Sequence, residues 1–103
     1  MAQFTTVRQY FRRYIDTPWY TESPEYRTYV DETYHQTGKI ISSDSELDED
    51  QLVLTKSGVW DSEESRNEFI NDPIIQAEYA PRKDHHELHG IVFRMVIPPN
   101  PEV

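Results

Sequence analysis

Residues 51–80 read QLVLTKSGVWDSEESRNEFINDPIIQAEYA and predict a strand followed by two helices. Apolar residues alternate with other residues from Gln51 to Trp60, which is typical of a strand. Asp61 lies three residues before Glu64, a capping-box spacing that predicts the start of a helix at this point. Asp72-Pro73 interrupts this helix and begins a shorter one. The inward stripe of the first helix is expected to consist of Ser62, Ser65, Arg66, Phe69 and Ile70.

The residues before this stretch predict a strand, a helix and a second strand, in that order. Phe4 to Tyr14 is rich in Thr, Val, Tyr and Phe and contains no Gly or Pro, which favours a strand. Ser23-Pro24 is a helix-start signal, and aromatic residues recur at helical spacing until Gly38 supplies a left-handed stop, so a helix of roughly four turns is expected. Lys39 to Ser43 predicts a strand that pairs with residues 51–60. The acidic run between these strands, Asp44 to Asp50, is expected to form an exposed hairpin connection.

The residues after this stretch predict one more strand. Residues 82–89 are polar and receive no assignment, whereas Gly90 to Ile97 shows apolar alternation. The predicted order is therefore strand, helix, strand, strand, helix, strand, which is the ferredoxin-like βαββαβ plan of the α+β class. We expect residues 1–103 to form a single domain with a four-stranded antiparallel sheet and both helices on one face. Along the last strand, one face is expected to carry Ile91, Phe93, Met95 and Ile97, and the other Val92, Arg94 and Val96.

The uncovered face of such a sheet predicts a homodimer. Tyr, Phe, Leu and Ile side chains from several strands would leave more apolar area exposed than a monomer usually shows. A chain of 103 residues without cysteine has no disulfide to stabilise its small core, so a partner chain is a further source of stability. We therefore expect two copies of the chain to pack their sheets face to face.

The composition excludes several classes of partner and site. The chain has 10 Lys and Arg against 19 Asp and Glu, for a net charge of −9. Affinity for duplex nucleic acid and for anionic membrane surfaces depends on an excess of basic side chains, so neither partner is expected. The absence of cysteine excludes a thiolate nucleophile and a zinc finger. Because no long apolar run is present, a cytoplasmic protein is expected.

Residues 59–73, VWDSEESRNEFINDP, resemble a signature of the dimeric α+β barrel superfamily, and more narrowly of its antibiotic-biosynthesis-monooxygenase-like group. The pattern is an aromatic residue that closes a strand, an acidic-Ser-x-Glu helix start, and an aromatic residue before a Pro or Asp and a short extra helix. The detailed match covers Val59 to Tyr79, and the element order covers nearly the whole chain. The superfamily includes oxygenases, haem degraders, isomerases and members without known activity, so the resemblance implies a fold more specifically than a function.

The resemblance also bears on cofactors and on a substrate pocket. In haem-degrading members a pocket Trp precedes an axial His by ten positions, and these positions here hold Phe69 and Tyr79. Tyrosinate can ligate haem iron, but both functional side chains differ, so no cofactor is expected. In cofactor-independent oxygenases of this group, an aromatic and polar pocket holds a phenolic substrate whose anion reacts with dioxygen. The pocket candidates here are Tyr29, Tyr34, Trp60, Phe69 and Tyr79, with His85 or His86 as a base. Packing in the core is the alternative role for these aromatic residues.

Arg8 and Arg12 lie on one face of the first predicted strand with Tyr10 between them. At roughly 3.3 Å per residue, the two arginines are about 13 Å apart along the strand. Because an uncompensated buried charge costs several kcal/mol, both arginines need partners or solvent. One interpretation is ion pairing with acids of the partner subunit. The other is an anion-binding pocket, in which a carboxylated or phenolic ligand meets arginines and aromatic walls.

Residues 84–89, DHHELH, are the densest cluster of metal-capable side chains. On a helix, His85 and His89 would share a face, which is compatible with a two-histidine site. A third ligand has no evident source, and the alternative is a solvated polar stretch that leads into the last strand, so no metal is expected.

Two functional hypotheses follow. The first is a small cofactor-independent monooxygenase, or a binder, that accepts an aromatic or acidic metabolite in a pocket between the sheet and the helices. The second is a non-catalytic dimeric structural or regulatory module whose polar strand residues only join the two sheets. A cavity beside Trp60 and Tyr79 would favour the first hypothesis, and side chains that fill this space would favour the second.

Overall fold

A computed structural model describes residues 3–98, and its strands and helices follow the predicted order with one addition. The addition is a helix in the polar stretch that the sequence left unassigned. The elements are β1 (Phe4–Phe11), α1 (Pro24–Val30) continued by a π-helical turn (Asp31–His35), β2 (Ile40–Leu47), β3 (Val53–Trp60), α2 (Glu63–Ile70), α3 (Pro73–Gln76), α4 (Tyr79–His89) and β4 (Val92–Ile97).

The four strands form one antiparallel sheet in the order β2-β3-β1-β4. This is the strand order of the ferredoxin-like plan, so the predicted α+β fold is confirmed. β1 and β3 lie in the centre, and Phe4 pairs with Trp60 while Arg8 pairs with Lys56. Because paired residues of an antiparallel ladder share a face, this register places Arg8 and Tyr10 on the same side of the sheet as Lys56 and Trp60.

An irregularity in the pairing of β1 with β4 corrects one prediction. Arg8 pairs with Met95, but the register shifts at the next step and Val7 pairs with Ile97. Neighbouring residues of β1 point to opposite faces, so Ile97 lies on the face opposite to Met95. The prediction that both would share a face was wrong, because strict alternation does not allow for a bulge.

The core lies between the sheet and the helices and is mainly aromatic. Tyr34, at 1% exposure, packs edge-on against Phe69 with ring centroids 5.0 Å apart. Phe69 in turn contacts Trp60 edge-on at 5.1 Å, a geometry that favours the quadrupoles of both rings. The cluster of buried residues consists of Tyr26, Tyr34, Ile40, Trp60 and Ile75.

The first strand and first helix are both shorter than predicted. β1 ends at Phe11, and Arg12 donates from Nη1 to the carbonyl of Thr17 at 2.7 Å, next to the turn that the N–H of Thr17 closes on the carbonyl of Tyr14. α1 starts with the Ser23 hydroxyl accepting from the N–H of Tyr26, as the Ser-Pro signal predicts. The helical stretch ends at His35, and Gly38 then adopts the expected left-handed conformation, with φ of 83°.

The acidic run does not form a loop throughout. β2 extends to Leu47, so the first residues of the run pair with β3, and the connection is shorter than predicted. Asp48 shapes this connection, because its Oδ1 accepts from the N–H groups of Leu52 and Val53 at 2.9 and 3.0 Å. A short polar side chain that bonds the backbone of a turn in this way competes with further strand pairing.

The helices after β3 differ from the predictions in two details. Ser62, rather than Asp61, caps α2, and its Oγ accepts from the N–H of Ser65 at 3.2 Å. Asp61 instead donates its N–H to the carbonyl of Lys39, which extends the contact between β2 and β3. The unassigned polar stretch forms most of α4, which ends at Gly90 with φ of 68°. Within residues 3–98, no helix has both the length and the apolar character needed to cross a membrane.

Candidate functional site

A cavity of about 550 Å³ lies between the helix-facing side of the sheet and the helices α1, α2 and α4. Its floor comes from the three strands β1, β3 and β4, and its roof from the three helices. The floor residues are Thr6, Arg8, Tyr10, Trp60, Phe93 and Met95, with Ile91 just before β4. The roof residues are Tyr26, Arg66, Phe69, Ile70, Tyr79, Arg82, Lys83, His86 and Glu87.

Aromatic rings form a large part of the cavity wall. Tyr10 contacts Phe93 on β4 at 5.3 Å between ring centroids and His86 on α4 at 5.4 Å. Trp60 and Phe69 line the cavity at the end nearer the core, and the indole N–H of Trp60 donates to Thr6 at 3.2 Å. Flat walls of this kind suit a planar aromatic ligand, since they offer a large apolar contact area.

Arg8 projects into this aromatic cavity. Its Nε donates to the hydroxyl of Tyr10 at 2.9 Å, which sets the orientation of the guanidinium. Among residues 3–98 no carboxylate lies within 4.0 Å of Arg8, and its terminal nitrogens donate to none of these residues. The planar fork of Arg8 therefore remains available for a carboxylate or a phenolate from a ligand.

Arg82 has a different environment from Arg8. Its Nη2 lies 3.3 Å from Glu22, and its guanidinium lies 5.6 Å from the ring centroid of Tyr20, 5.8 Å from that of Tyr26 and 5.9 Å from that of Tyr79. Burial by itself would lower the pKa of Arg82, but Tyr26 and Glu22 outweigh it and the pKa is raised. Arg82 is therefore a permanent cation in the roof of the cavity.

Tyr79 places a neutral hydroxyl among the arginines. Burial raises the pKa of Tyr79, although the charges of Arg82, Arg8 and Arg66 act in the opposite direction. All three arginines line the same cavity as Tyr79, and the guanidinium of Arg82 lies 5.9 Å from the centroid of its ring. With its pKa raised, Tyr79 keeps its proton near pH 7 and can donate a hydrogen bond to an anion.

His86 is the imidazole of the cavity. Burial lowers the pKa of His86, and the nearby charges of His85, Arg82 and Lys56 lower it further. The side chain is therefore neutral at pH 7, and a neutral imidazole is able to accept a proton. This protonation state is the one that a general base needs.

The segment before α1 is held against α4 by a buried carboxylate. Glu78, at 7% exposure, accepts from the hydroxyl of Tyr20 at 2.8 Å and from that of Ser23 at 3.2 Å. Burial, together with the hydrogen bond to Glu78, raises the pKa of Tyr20 to about 12. His85 adds a contact of 2.8 Å between its Nε2 and the carbonyl of Pro18. These contacts hold Glu22 beside Arg82.

The structure brings five of the nine sequence-predicted candidates together in the cavity. These five are Arg8, Trp60, Phe69, Tyr79 and His86. The resemblance pointed to the three aromatic residues of the five, and the strand pattern to Arg8. A common cavity wall supports the interpretation that these side chains act as one site.

The other four candidates lie elsewhere. Arg12 stacks on Trp19 at 4.4 Å and donates from Nε to the carbonyl of Gln51 at 2.8 Å, so it joins two turns of the backbone. Tyr29 and Tyr34 both donate to Asp72 on the far side of the core. The remaining candidate is His85, which bonds Pro18. Their spacing in the sequence was compatible with a pocket, but the hydrogen-bond partners that hold them are 5 to 67 residues away.

Several cavity residues escaped the sequence analysis, above all Arg82. Arg82 and His86 are four residues apart and therefore share one face of α4. Treating residues 82–89 as a helix would have placed them together, but the low apolar content of the stretch gave no periodic signal. The other cavity residues not predicted as candidates include Tyr10, Tyr26, Arg66, Phe93 and Met95.

The histidine cluster does not gather a metal site. His85 and His89 do share a face of α4, with ring centroids 4.4 Å apart. However, residues 3–98 contain no group of three or more His, Cys, Asp or Glu side chains that could hold a metal ion.

Comparison of the chain with protein-family models, with curated proteins and with solved structures returns no match.

Proposed function

We propose that this protein binds a small aromatic anion, an aromatic carboxylate or phenolate, in the cavity between its sheet and its helices. The observation that carries the proposal is the state of Arg8, whose terminal nitrogens meet no carboxylate among residues 3–98 although the chain has a net charge of −9. A cation held away from so many acids, next to aromatic walls, is suited to an anion from outside the chain.

The position of Arg8 also weighs against the alternative of an ion pair with a partner subunit. Arg8 lies on the face of the sheet that packs against the helices, because it lines the cavity together with Tyr79 and Arg82. The two sheets of a face-to-face dimer would meet on the opposite face. A cavity beside Trp60 and Tyr79, rather than side chains that fill this space, supports the binder over a purely structural module.

Calorimetric titration with two matched ligands tests the proposal. We expect naphthoate to bind the wild-type protein at least tenfold more tightly than the neutral naphthamide, since a charged hydrogen bond contributes roughly 1.5–3 kcal/mol. Arg8→Met should remove most of this difference. Arg13→Met makes the same change in net charge at an exposed position and serves as the control. Equal losses for naphthoate and naphthamide with Arg8→Met would reject an anion site.

Cofactor-independent oxygenation is a second candidate function, and His86 favours it. A neutral imidazole in an aromatic cavity is placed to take the proton of a bound phenol. The phenolate ring would then give two electrons to dioxygen and form a carbon–oxygen bond, and the outer oxygen of the resulting ring peroxide would take the proton back from His86. Oxygen uptake with a dihydroxynaphthoate, measured with an electrode in metal-free buffer, tests this candidate. Uptake that is unchanged in His86→Gln would assign it to autoxidation of the substrate and remove the enzyme from the proposal.

We also propose that two copies of the chain pair through the open face of the sheet. This face carries exposed apolar side chains, among them Val92 at 61% exposure, next to Phe11. Its edges have opposite charge, because Asp44 and Glu46 lie on β2 and Arg94 lies on β4. A two-fold axis parallel to the strands would place Arg94 of each copy over the acidic strand of the other, so the face is complementary to itself.

The strand order and the resemblance of residues 59–79 together support placing the chain in the dimeric α+β barrel superfamily. The two proposals are compatible because they use different faces of the sheet. One face forms the binding cavity with the helices, and the opposite face forms the dimer contact.

A further inference from the structure

Four Lys and Arg side chains line the cavity, and they differ in whether a carboxylate of the described residues neutralises them. Arg82 lies 3.3 Å from Glu22, and Lys83 lies 4.0 Å from Glu87, one turn further along α4. These two cations therefore have their counter-ions within the chain. The other two cations of the cavity are Arg8 and Arg66.

Arg8 and Arg66 have no carboxylate within 4.0 Å among the residues that the structure describes. Both are only half-exposed, so water screens them less than it screens a surface charge. A ligand with a single negative charge would pair with one of them and leave the other uncompensated after water is displaced. Leaving a desolvated charge without a partner costs several kcal/mol.

The two unpaired arginines reach the cavity from different elements. Arg66 belongs to α2, and its guanidinium lies 5.9 Å from the ring centroid of Phe4, at the start of β1. Arg8 lies four residues beyond Phe4 on the same strand, and this spacing corresponds to about 13 Å of strand length at roughly 3.3 Å per residue. Trp60 and Phe69 contribute aromatic walls to the same cavity.

We propose that the ligand of this cavity is an aromatic dianion, with one acidic group at Arg8 and a second acidic group at Arg66 on the other side of the ring system. This inference rests on the proposed function and narrows it to a class of ligand. The preference for a second acidic group depends on Arg66. The inference of a dianion can therefore be wrong even if the protein binds aromatic anions.

Calorimetric titration of the full chain with naphthoate and with the corresponding naphthalene dicarboxylate tests the inference. We expect the dicarboxylate to bind the wild-type protein tenfold to a hundredfold more tightly, the range given by one additional charged hydrogen bond. Arg66→Met should bring the two affinities to within about threefold of each other. Arg66→Lys keeps the charge without the planar fork and should retain part of the preference. Arg13→Met, the exposed control, should retain all of it.

Each outcome decides between the two proposals. Equal affinity of the wild-type protein for both ligands would overturn the dianion and leave the aromatic anion site in place. A dicarboxylate preference that survives in a folded Arg66→Met protein, with its fold checked by circular dichroism, would also overturn the role of Arg66. If neither ligand binds the wild-type protein, the proposed function itself is wrong.

Discussion

The hydroxyl of Tyr34 donates to Oδ2 of Asp72 across 2.7 Å, although the two residues are 38 positions apart. Tyr29 donates to the same oxygen at 2.5 Å, and Oδ1 of Asp72 accepts from the N–H of Ile74 at 2.9 Å. One carboxylate therefore joins the first helical stretch to the start of α3. This network lies on the opposite side of the aromatic core from the cavity and holds the scaffold on which the cavity is built.

Replacement of Tyr34 tests how much this network stabilises the fold. We expect Tyr34→Phe to lower the free energy of unfolding by about 1–2 kcal/mol, because the ring stays packed and only a buried hydrogen bond is lost. Urea denaturation measures the change. Tyr29→Phe, at the more exposed of the two donors, is the comparison and should cost less. A loss in Tyr29→Phe as large as that in Tyr34→Phe would contradict the greater weight given to the buried bond.

Asp72 should also make stability depend on acid pH. Burial acts to raise the pKa of Asp72, but the hydrogen bonds from Tyr29 and Tyr34 outweigh it, so its pKa lies below the usual 3.8. The unfolded chain therefore binds the proton first, and the stabilisation is present above about pH 4 and is lost as the pH falls through the folded-state pKa. Asp72→Asn should remove this part of the acid dependence. Thermal melts between pH 2 and 7 measure it, and parallel curves for the two proteins would count against it.

His86 should also make the protein less stable as the pH falls, although it is a base and Asp72 is an acid. Its folded-state pKa is below the usual 6.5, so the unfolded chain binds more protons as the pH falls below that value. Stability is then lost between pH 6.5 and the lowered pKa of the folded protein. We expect His86→Gln to flatten the stability profile in this window, and His35→Gln, outside the cavity wall, to serve as the control. A titration of the histidine ring protons by NMR that places His86 above 6.5 would contradict this expectation.

Arg12 and Arg8 should respond differently to the same substitution. Arg12 donates to two backbone carbonyls and stacks on Trp19, so Arg12→Met should lower the free energy of unfolding by roughly 1–3 kcal/mol. Its effect on naphthoate affinity should stay within about twofold, because Arg12 does not line the cavity. Arg8→Met should show the reverse pattern. Calorimetric titration and urea denaturation of both variants measure the two effects, and a large affinity loss in a folded Arg12→Met protein would assign Arg12 to the site after all.

The proposed dimer predicts the mass of the protein in solution. We expect light scattering at micromolar concentration to give twice the 12.3 kDa of one chain. Val92→Glu on the open face should produce monomers, because it replaces an exposed apolar side chain on β4 with a negative charge that would face the acidic strand β2 of the other copy. Leu88→Glu is the matched control, since Leu88 is 80% exposed on the helical side of the molecule. A wild-type protein that is monomeric under these conditions would remove the dimer from the proposal.

Local sequence signals predicted the elements because each depends on residues close in the chain. Alternation along β3, the Ser23-Pro24 helix start and the left-handed Gly38 all act within a few residues, and all three are present in the structure. The errors occurred where a distant partner decides the outcome. The backbone of Asp61 still pairs with the sheet, since its N–H donates to the carbonyl of Lys39, and the next residue, Ser62, caps α2. The bulge that turns Ile97 to the open face depends on the pairing of β4 with β1.

The candidate site follows the same division. Strand spacing predicted Arg8 as a site residue, and the resemblance predicted the aromatic residues. Both signals depend only on residue type and order in the sequence. Which of the candidates share a cavity could not be predicted from the sequence, since Tyr29, Tyr34 and His85 find hydrogen-bond partners between 38 and 67 residues away. Local sequence signals, namely periodicity and capping residues, thus determine the order of strands and helices in this chain. The composition of the cavity is decided by packing, because the pairing of each arginine with a carboxylate depends on distances that only the folded chain creates.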